Sequence, residues 1–309
     1  MATASGTATN YTNLYDLFVT FLTTTLPVGE RWTVLSSETN PASITGGTRL
    51  TYLRAPGLAG TDNIYSVLYA FENVGSDYYN IGVRGATGYL LASGYAGQPG
   101  GSNPVYSLMW NSSIPYWFIG SGRRAMLIAK ISTVYVCLHM GFITPYASPS
   151  EWGYPHFIGG TWGGASATRW SDATALHKAF WNPANTAAGG TTSPAKLYYP
   201  GASWIDFQNY TTTESSYTAT GSRIFPFSWV NQETKKIGRI YGGTEYALYP
   251  LVLFNESYPS MYGEIEGVYQ ISGYSNAAEN IVTISAVNYL VVPNVFRAAV
   301  NHYAAFKLA

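Results

Sequence analysis

Two carboxylates, Glu264 and Glu266, stand two positions apart in "GEIEG". On a strand they share a face and lie about 7 Å apart, because alternate residues point the same way. A glycosidase needs a carboxyl pair roughly 5 to 9.5 Å apart across a cleft. The spacing permits that chemistry. Like-facing carboxylates on a solvated strand are the plainer reading, because no second acidic cluster marks a cleft. A second group is aromatic. Trp152, Tyr154, His156, Phe157 and Trp162 fall within eleven residues, with Pro149 and Pro155 stiffening the chain. Such rings stack on sugars, anchor in a partner's groove, or pack within their own loop. For sugar recognition only Glu151 and His156 stand nearby to meet hydroxyl groups. The third group is the adjacent pair Arg123 and Arg124, which leads a long apolar run. The pair suits acidic groups at a subunit boundary, or it begins a strand at the solvent edge.

Other chemistry is missing. The chain has one cysteine, Cys137, so it forms no internal disulfide, and its place inside an apolar run predicts a small buried thiol. Of the four histidines, only His139 and His156 are near it in sequence. There is no G-x-x-x-x-G-K-[ST], H-E-x-x-H or G-x-S-x-G. The stretch "IGSGRR" leads into another strand, so no helix N-terminus follows it to take an anion. The sequence predicts no catalytic residue, no cofactor and no metal, and the chain is expected not to be an enzyme.

These groups sit in an unusual background. Charged residues are 10%, aromatics 16% and net charge zero. An average soluble domain carries about 25% charge. Disorder is excluded by the aromatic content, and a nucleic-acid footprint is not indicated. A surface with so little charge is either hydrated by Tyr, Thr, Ser and Asn or buried against partners. The charge is also segregated. Between Tyr78 and Ser150 there is no acidic residue, whereas Arg84, Arg123, Arg124 and Lys130 are basic. After Ile240 come Glu245, Glu256, Glu264, Glu266 and Glu279 against Arg297 and Lys307. The two halves can neutralise each other within one chain or between subunits, the former being favoured. The N-terminus lacks the basic start of a signal peptide, and "AMLIAKISTVYVCLHMGFI" is broken by Lys130, Ser132 and His139, so no membrane span is expected.

The elements that must position these groups are mostly strands. Residues 1–10 are small and polar and are expected to form a flexible or partner-docked arm. Leu14, Leu17, Phe18, Phe21 and Leu22 then recur at helical spacing, predicting one amphipathic helix over 13–26, capped by Asn13 and stopped by Pro27 and Gly29. The period next changes to two, and many short strands follow, including "AMLIAKISTVYVCLHMGF" as one long strand or two joined through a bulge. Two glycine ladders, Gly82/Gly85/Gly88 and Gly94/Gly97/Gly100, are expected as turns. Residues 160–222 are rich in small residues and are expected as a long loop-rich insertion, with a short helical turn near Ala173–Phe180. The predicted fold is mainly β, sandwich- or barrel-like, one domain over 11–309.

Three segments carry a resemblance. "GRRAMLIAKISTVYVCLHMGFITPYASPSEWGYPHFIGG", the C-terminal "GEIEGVYQISGYSNAAENIVTISAVNYLVVPNVFRAAVNHYAAFKLA" and the "WTVL" after the helix resemble virion structural proteins of tailed bacteriophages. The resemblance implies a part of the particle (tail, baseplate or neck) assembled in the bacterial cytoplasm. Its implied partners are copies of itself in a ring and other virion proteins, with no nucleic acid and no membrane span. A receptor- or glycan-binding tail module using the Trp152–Trp162 stretch on a host surface glycan is the alternative. A carbohydrate-cleaving enzyme using Glu264 and Glu266 is the third possibility.

Overall fold

The structure, a computed structural model, describes residues 1–164, 166–172, 177–185, 193–207, 209–210, 222–226, 246–255, 260–296 and 299–309. It is mainly β, with one N-terminal helix. The first sheet joins, in spatial order, β1 (Ala2–Ala8), β7 (Ile114–Gly120), β8 (Arg124–Ile131), β9 (Val134–Phe142), β11 (His156–Gly159), β13 (Ala195–Tyr199) and β14 (Ser203–Asp206). The second is a meander of β2 (Thr33–Thr39), β3 (Gly47–Ala55), β4 (Ile64–Asn73), β5 (Tyr78–Ala86) and β6 (Val105–Met109). The third runs β16 (Ser222–Phe225), β17 (Tyr249–Asn255), β18 (Ser260–Ile271), β21 (Tyr303–Lys307), β20 (Val287–Pro293) and β19 (Ile281–Ile284), with β10 (Thr144–Pro145) also paired to β18. The third sheet curls into a half-barrel around a small cluster of its own that includes Ile271, Tyr289, Val291 and Tyr303. Two short strands, β12 (Ala184–Asn185) and β15 (Asn209–Tyr210), pair in parallel.

The first sheet is the middle layer, so β9 is buried along its whole length. Alternate residues serve its two sides. On one side Phe142 packs 5.0 Å from the Tyr154 ring, and His156, paired opposite Phe142, comes within 3.5 Å of Ser66 in β4. On the other side His139 lies 5.5 Å from the Phe180 ring, and Arg124, opposite Gly141, reaches Glu266 in β18. One apolar cluster therefore draws on all three sheets. A strand covered on both faces needs apolar residues at every position, which is why this run carries no polar alternation.

The helix α1 (Tyr11–Thr20) passes without a break into a π-helical turn, Phe21–Thr25. Its stripe docks on the β core: Phe18 and Phe21 lie 5.0 and 5.6 Å from Phe118 of β7. The buried face also carries two tyrosines whose hydroxyls are satisfied, Tyr11 by Glu72 at 2.7 Å and Tyr15 by the Leu68 carbonyl at 2.9 Å. The cap is Asn10, not Asn13. The Asn10 side chain accepts from the Asn13 amide at 2.8 Å, while Asn13 accepts from Thr9.

Four expectations are corrected. Residues 2–8 are not a loose arm; β1 pairs with β7 from Ala2↔Gly120 to Ala8↔Ile114. Its small residues fit because Tyr116 lies over Gly6, where an added Cβ would come within 2.8 Å of the tyrosine oxygen. The long apolar run is a hairpin. β8 and β9 turn at Ser132, whose φ is +55°. Gly82 and Gly85 are inside β5, not in turns, and a Cβ at Gly85 would meet the Trp204 ring at 2.2 Å. Finally, the loop-rich 160–222 is not a peripheral insertion: among its described residues Phe180, Trp181 and Phe207 are fully buried, and β13 and β14 complete the middle sheet. The helical turn expected near Ala173–Phe180 and the strand expected in "KKIGRIYG" lie partly or wholly outside the described residues.

Candidate functional site

The aromatic stretch is not an exposed platform. Trp152, His156, Phe157 and Trp162 are buried and Tyr154 nearly so. Neighbours on β11, His156 and Phe157, point to opposite sides of the middle sheet. His156 packs on Trp204 at 5.4 Å, and Phe157 on Phe180 and Phe207 at 6.0 and 6.4 Å. The Trp152 indole donates to the Tyr198 carbonyl at 3.2 Å. The Tyr154 hydroxyl donates to the Ala86 carbonyl at 2.6 Å and accepts from the Tyr65 amide at 3.0 Å. Trp162 hydrogen-bonds through its backbone to Tyr106 and meets the His177 ring edge-on at 5.4 Å. A ring that stacks on a sugar needs an open face, and these faces are taken by the three-layer core. The expectation of a glycan or partner contact through these five residues is corrected accordingly.

The buried titratable groups are likewise held apart. Burial pushes the Cys137 thiol up, and its sulfur lies 3.7 Å from the Gly160 carbonyl. His139 bonds to the Phe157 carbonyl at 3.3 Å, so cysteine and histidine form no nucleophilic pair. Burial lowers both His139 and His156 to about 3. Among the described residues no group of His, Cys, Asp and Glu could hold a metal, and no helix is long and apolar enough to cross a membrane.

The two arginines divide. They follow β7 in a turn where the Ser121 side chain accepts from both their amides, and Trp32 donates to the Ser121 carbonyl at 2.8 Å. Arg124 is 1% exposed and pairs with Glu266 at 3.3 Å. Burial works against the charge on Glu266, yet Arg124, with Arg123 and Lys307, holds its carboxyl below the usual range. The basic middle and the acidic tail meet again at Lys130 and Glu279, 2.6 Å apart. These two contacts pair part of the segregated charge inside one chain. Glu264 is occupied separately: the Tyr146 hydroxyl donates to it at 2.6 Å. Burial and that carboxylate push the Tyr146 phenol up to about 12. Each of the two carboxylates thus has its own partner.

Arg123 is different. It donates to the Ile143 carbonyl but is in no ion pair among the described residues, and its buried Nε has no hydrogen-bond partner. Burial pulls its pKa down. It lines a hollow of about 340 Å³ whose other walls are Gly29, Glu30, Ser121, Gly122 and the loop Gly57–Gly60. That loop is fixed by the Asp62 carboxylate on the Leu58 amide, 2.7 Å, and by Gly57 donating to the Gly122 carbonyl. The two most exposed large apolar side chains among the described residues are in or next to the wall of this hollow. Leu58 is 76% exposed in its wall, and Val28, 79% exposed, precedes Gly29. The only hint in the sequence is Leu58 itself, an apolar residue inside a glycine loop, "PGLAG".

No protein-family model matches the chain, and no curated protein matches it.

Proposed function

We propose that this chain is a structural subunit of a tailed-phage virion, assembling symmetrically into the tail, baseplate or neck and acting by contact instead of by chemistry. The reading starts from the resemblance of Gly122–Gly160 and of residues 263–309 to such proteins. The observation that carries it is the character of the surface. The chain has 10% charged residues, and several of them are paired internally, as in Arg124–Glu266, Lys130–Glu279 and Lys196–Asp206. Meanwhile Val28, Leu58, Val74, Leu90, Leu91 and Met261 stand exposed. Low charge and exposed apolar side chains suit a surface that is covered in an assembly. The aromatic residues of the Trp152–Trp162 stretch, whose faces are occupied, serve the core.

Quantitative mass spectrometry of gradient-purified particles of the phage encoding the chain tests this. A copy number per particle that is a multiple of three or six is the expected result, since closed rings repeat their subunits. Absence from the particle defeats the reading.

A further inference from the structure

Close to the Arg123 hollow lies a second exposed feature. Tyr146 is about half-exposed, Met261 is 69% exposed and Tyr199 is partly exposed, its ring 5.9 Å from Tyr262. This shelf carries Glu264, which among the described residues is in no ion pair; its Oε1 takes the Tyr146 hydroxyl, and its Oε2 has no hydrogen bond among them. The shelf and the hollow share a segment of chain. Arg123 donates to the Ile143 carbonyl, and Thr144 and Pro145 pair with Glu264 and Gly263. From Ile143 to Tyr146 the chain spans at most about 11 Å. This region therefore presents a half-buried cation that makes no ion pair among the described residues and feels Glu266 and Asp62 only at a distance, with Leu58 in the wall of its hollow and Val28 next to the wall residue Gly29. Beside it stands a carboxylate with no cation partner among the described residues, bonded to Tyr146 and carried by the strand that exposes Met261.

We propose that the Arg123 hollow and the Tyr146–Met261 shelf are the two complementary halves of a contact between copies of this chain, with Glu264 of one copy entering the hollow of the other. A two-fold axis between the patches makes the contact twice, because a closed two-fold interface sets each patch against its complement. Arg123 then gains a direct ion pair, where its own chain's Glu266 and Asp62 act on it only at a distance, and its planar fork suits a carboxylate bound through two oxygens. The apolar rims cover each other and exclude water from the pair, which strengthens it. A free inorganic anion fits less well, because it would satisfy Arg123 and leave Leu58 and Val28 exposed. The contact deepens the assembly reading, on which it rests for its biological purpose.

The test is sedimentation velocity of the full chain in low salt, over concentrations up to about 1 mM, the weak end of specific association. The wild type is expected to form a dimer that loosens as salt is added. Arg123→Glu and Glu264→Arg are each expected to weaken it by at least about tenfold, and the two mixed together, or combined in one chain, to restore it. Arg123 also holds the Ile143 carbonyl, so Arg123→Glu could disturb folding. Leu58→Asp, on an exposed loop side chain, is the independent variant and is expected to weaken the dimer with an unchanged circular dichroism spectrum and Tm. A wild-type chain that stays monomeric overturns the proposal. So does a dimer indifferent to Glu264→Arg and Leu58→Asp. Particle mass spectrometry reads the other reading separately: a chain present in virions but monomeric alone keeps the function and loses this contact, and a dimer absent from virions does the reverse.

Discussion

The stretch Trp152–Trp162 and the loop Gly57–Gly60 have opposite compositions and opposite places in the molecule. The first is aromatic and lies in the core, its rings held between sheets. The second is mostly glycine and alanine, and its one large side chain is 76% exposed beside Arg123. In a three-layer β protein the middle sheet needs large side chains on both faces, so aromatic density marks the interior. A leucine that gains nothing from its own fold, held outward by a hydrogen-bonded loop, is the stronger sign of a contact.

Acid should break the aromatic side of this comparison with the largest effect. His139 and His156 are held neutral near the aromatic rings and carry fewer protons folded than unfolded. Stability therefore rises with pH. Their contribution is whole above pH 6.5 and is lost as pH falls from 6.5 toward about 3. The expected slope is about 1.4 kcal/mol per pH unit for each histidine. Urea titrations at a series of pH values should show the midpoint dropping through this window, and a flat profile would remove the two histidines from the stability of the fold. Glu266, with its carboxyl held low, adds loss in the same direction at lower pH.

Truncation comes next. Phe157→Ala removes a fully buried ring that touches Phe180 and Phe207 and should cost about 3–5 kcal/mol in equilibrium unfolding. A loss below about 1 kcal/mol would mean that the stretch is not core. A smaller effect separates the two arginines. Glu266→Gln leaves Arg124 buried without its carboxylate, and should cost about 1–3 kcal/mol, the penalty of leaving a buried polar group without its partner. Glu264→Gln should cost much less, because its partner Tyr146 is about half-exposed. The smallest effect is at the loop. Leu58→Ser should leave unfolding within about 0.5 kcal/mol of wild type. A larger loss would show that Leu58 packs within its own chain.

Parts of this were readable in advance. The helical stripe Leu14 to Leu22 was visible because 3.6-residue spacing is a local signal, and the structure buries Leu14, Phe18, Phe21 and Leu22. The hairpin at Ser132–Thr133 was hidden, since that turn lacks the Gly or Asn that usually announces one. β1 was hidden too. Its small residues read as a loose tail until Tyr116 is placed over Gly6. Phe180, Trp181 and Phe207 are scattered among small residues, so no period revealed that their segment threads the core.

The sequence by itself determined the mainly β class, the single N-terminal helix, the buried thiol and the shortage of charge, because these follow from composition and from periods that neighbouring residues set. The tertiary structure alone decided that the middle sheet is covered on both faces, that the aromatic stretch turns inward and that the charged halves pair in part within one chain, at Arg124–Glu266 and Lys130–Glu279. It also decided that Arg124 makes a direct ion pair while Arg123, among the described residues, makes none. Those outcomes depend on which strand lies beside which. Partners such as Arg124 and Glu266 or Lys130 and Glu279 lie more than a hundred residues apart, and no local pattern encodes the distance between them.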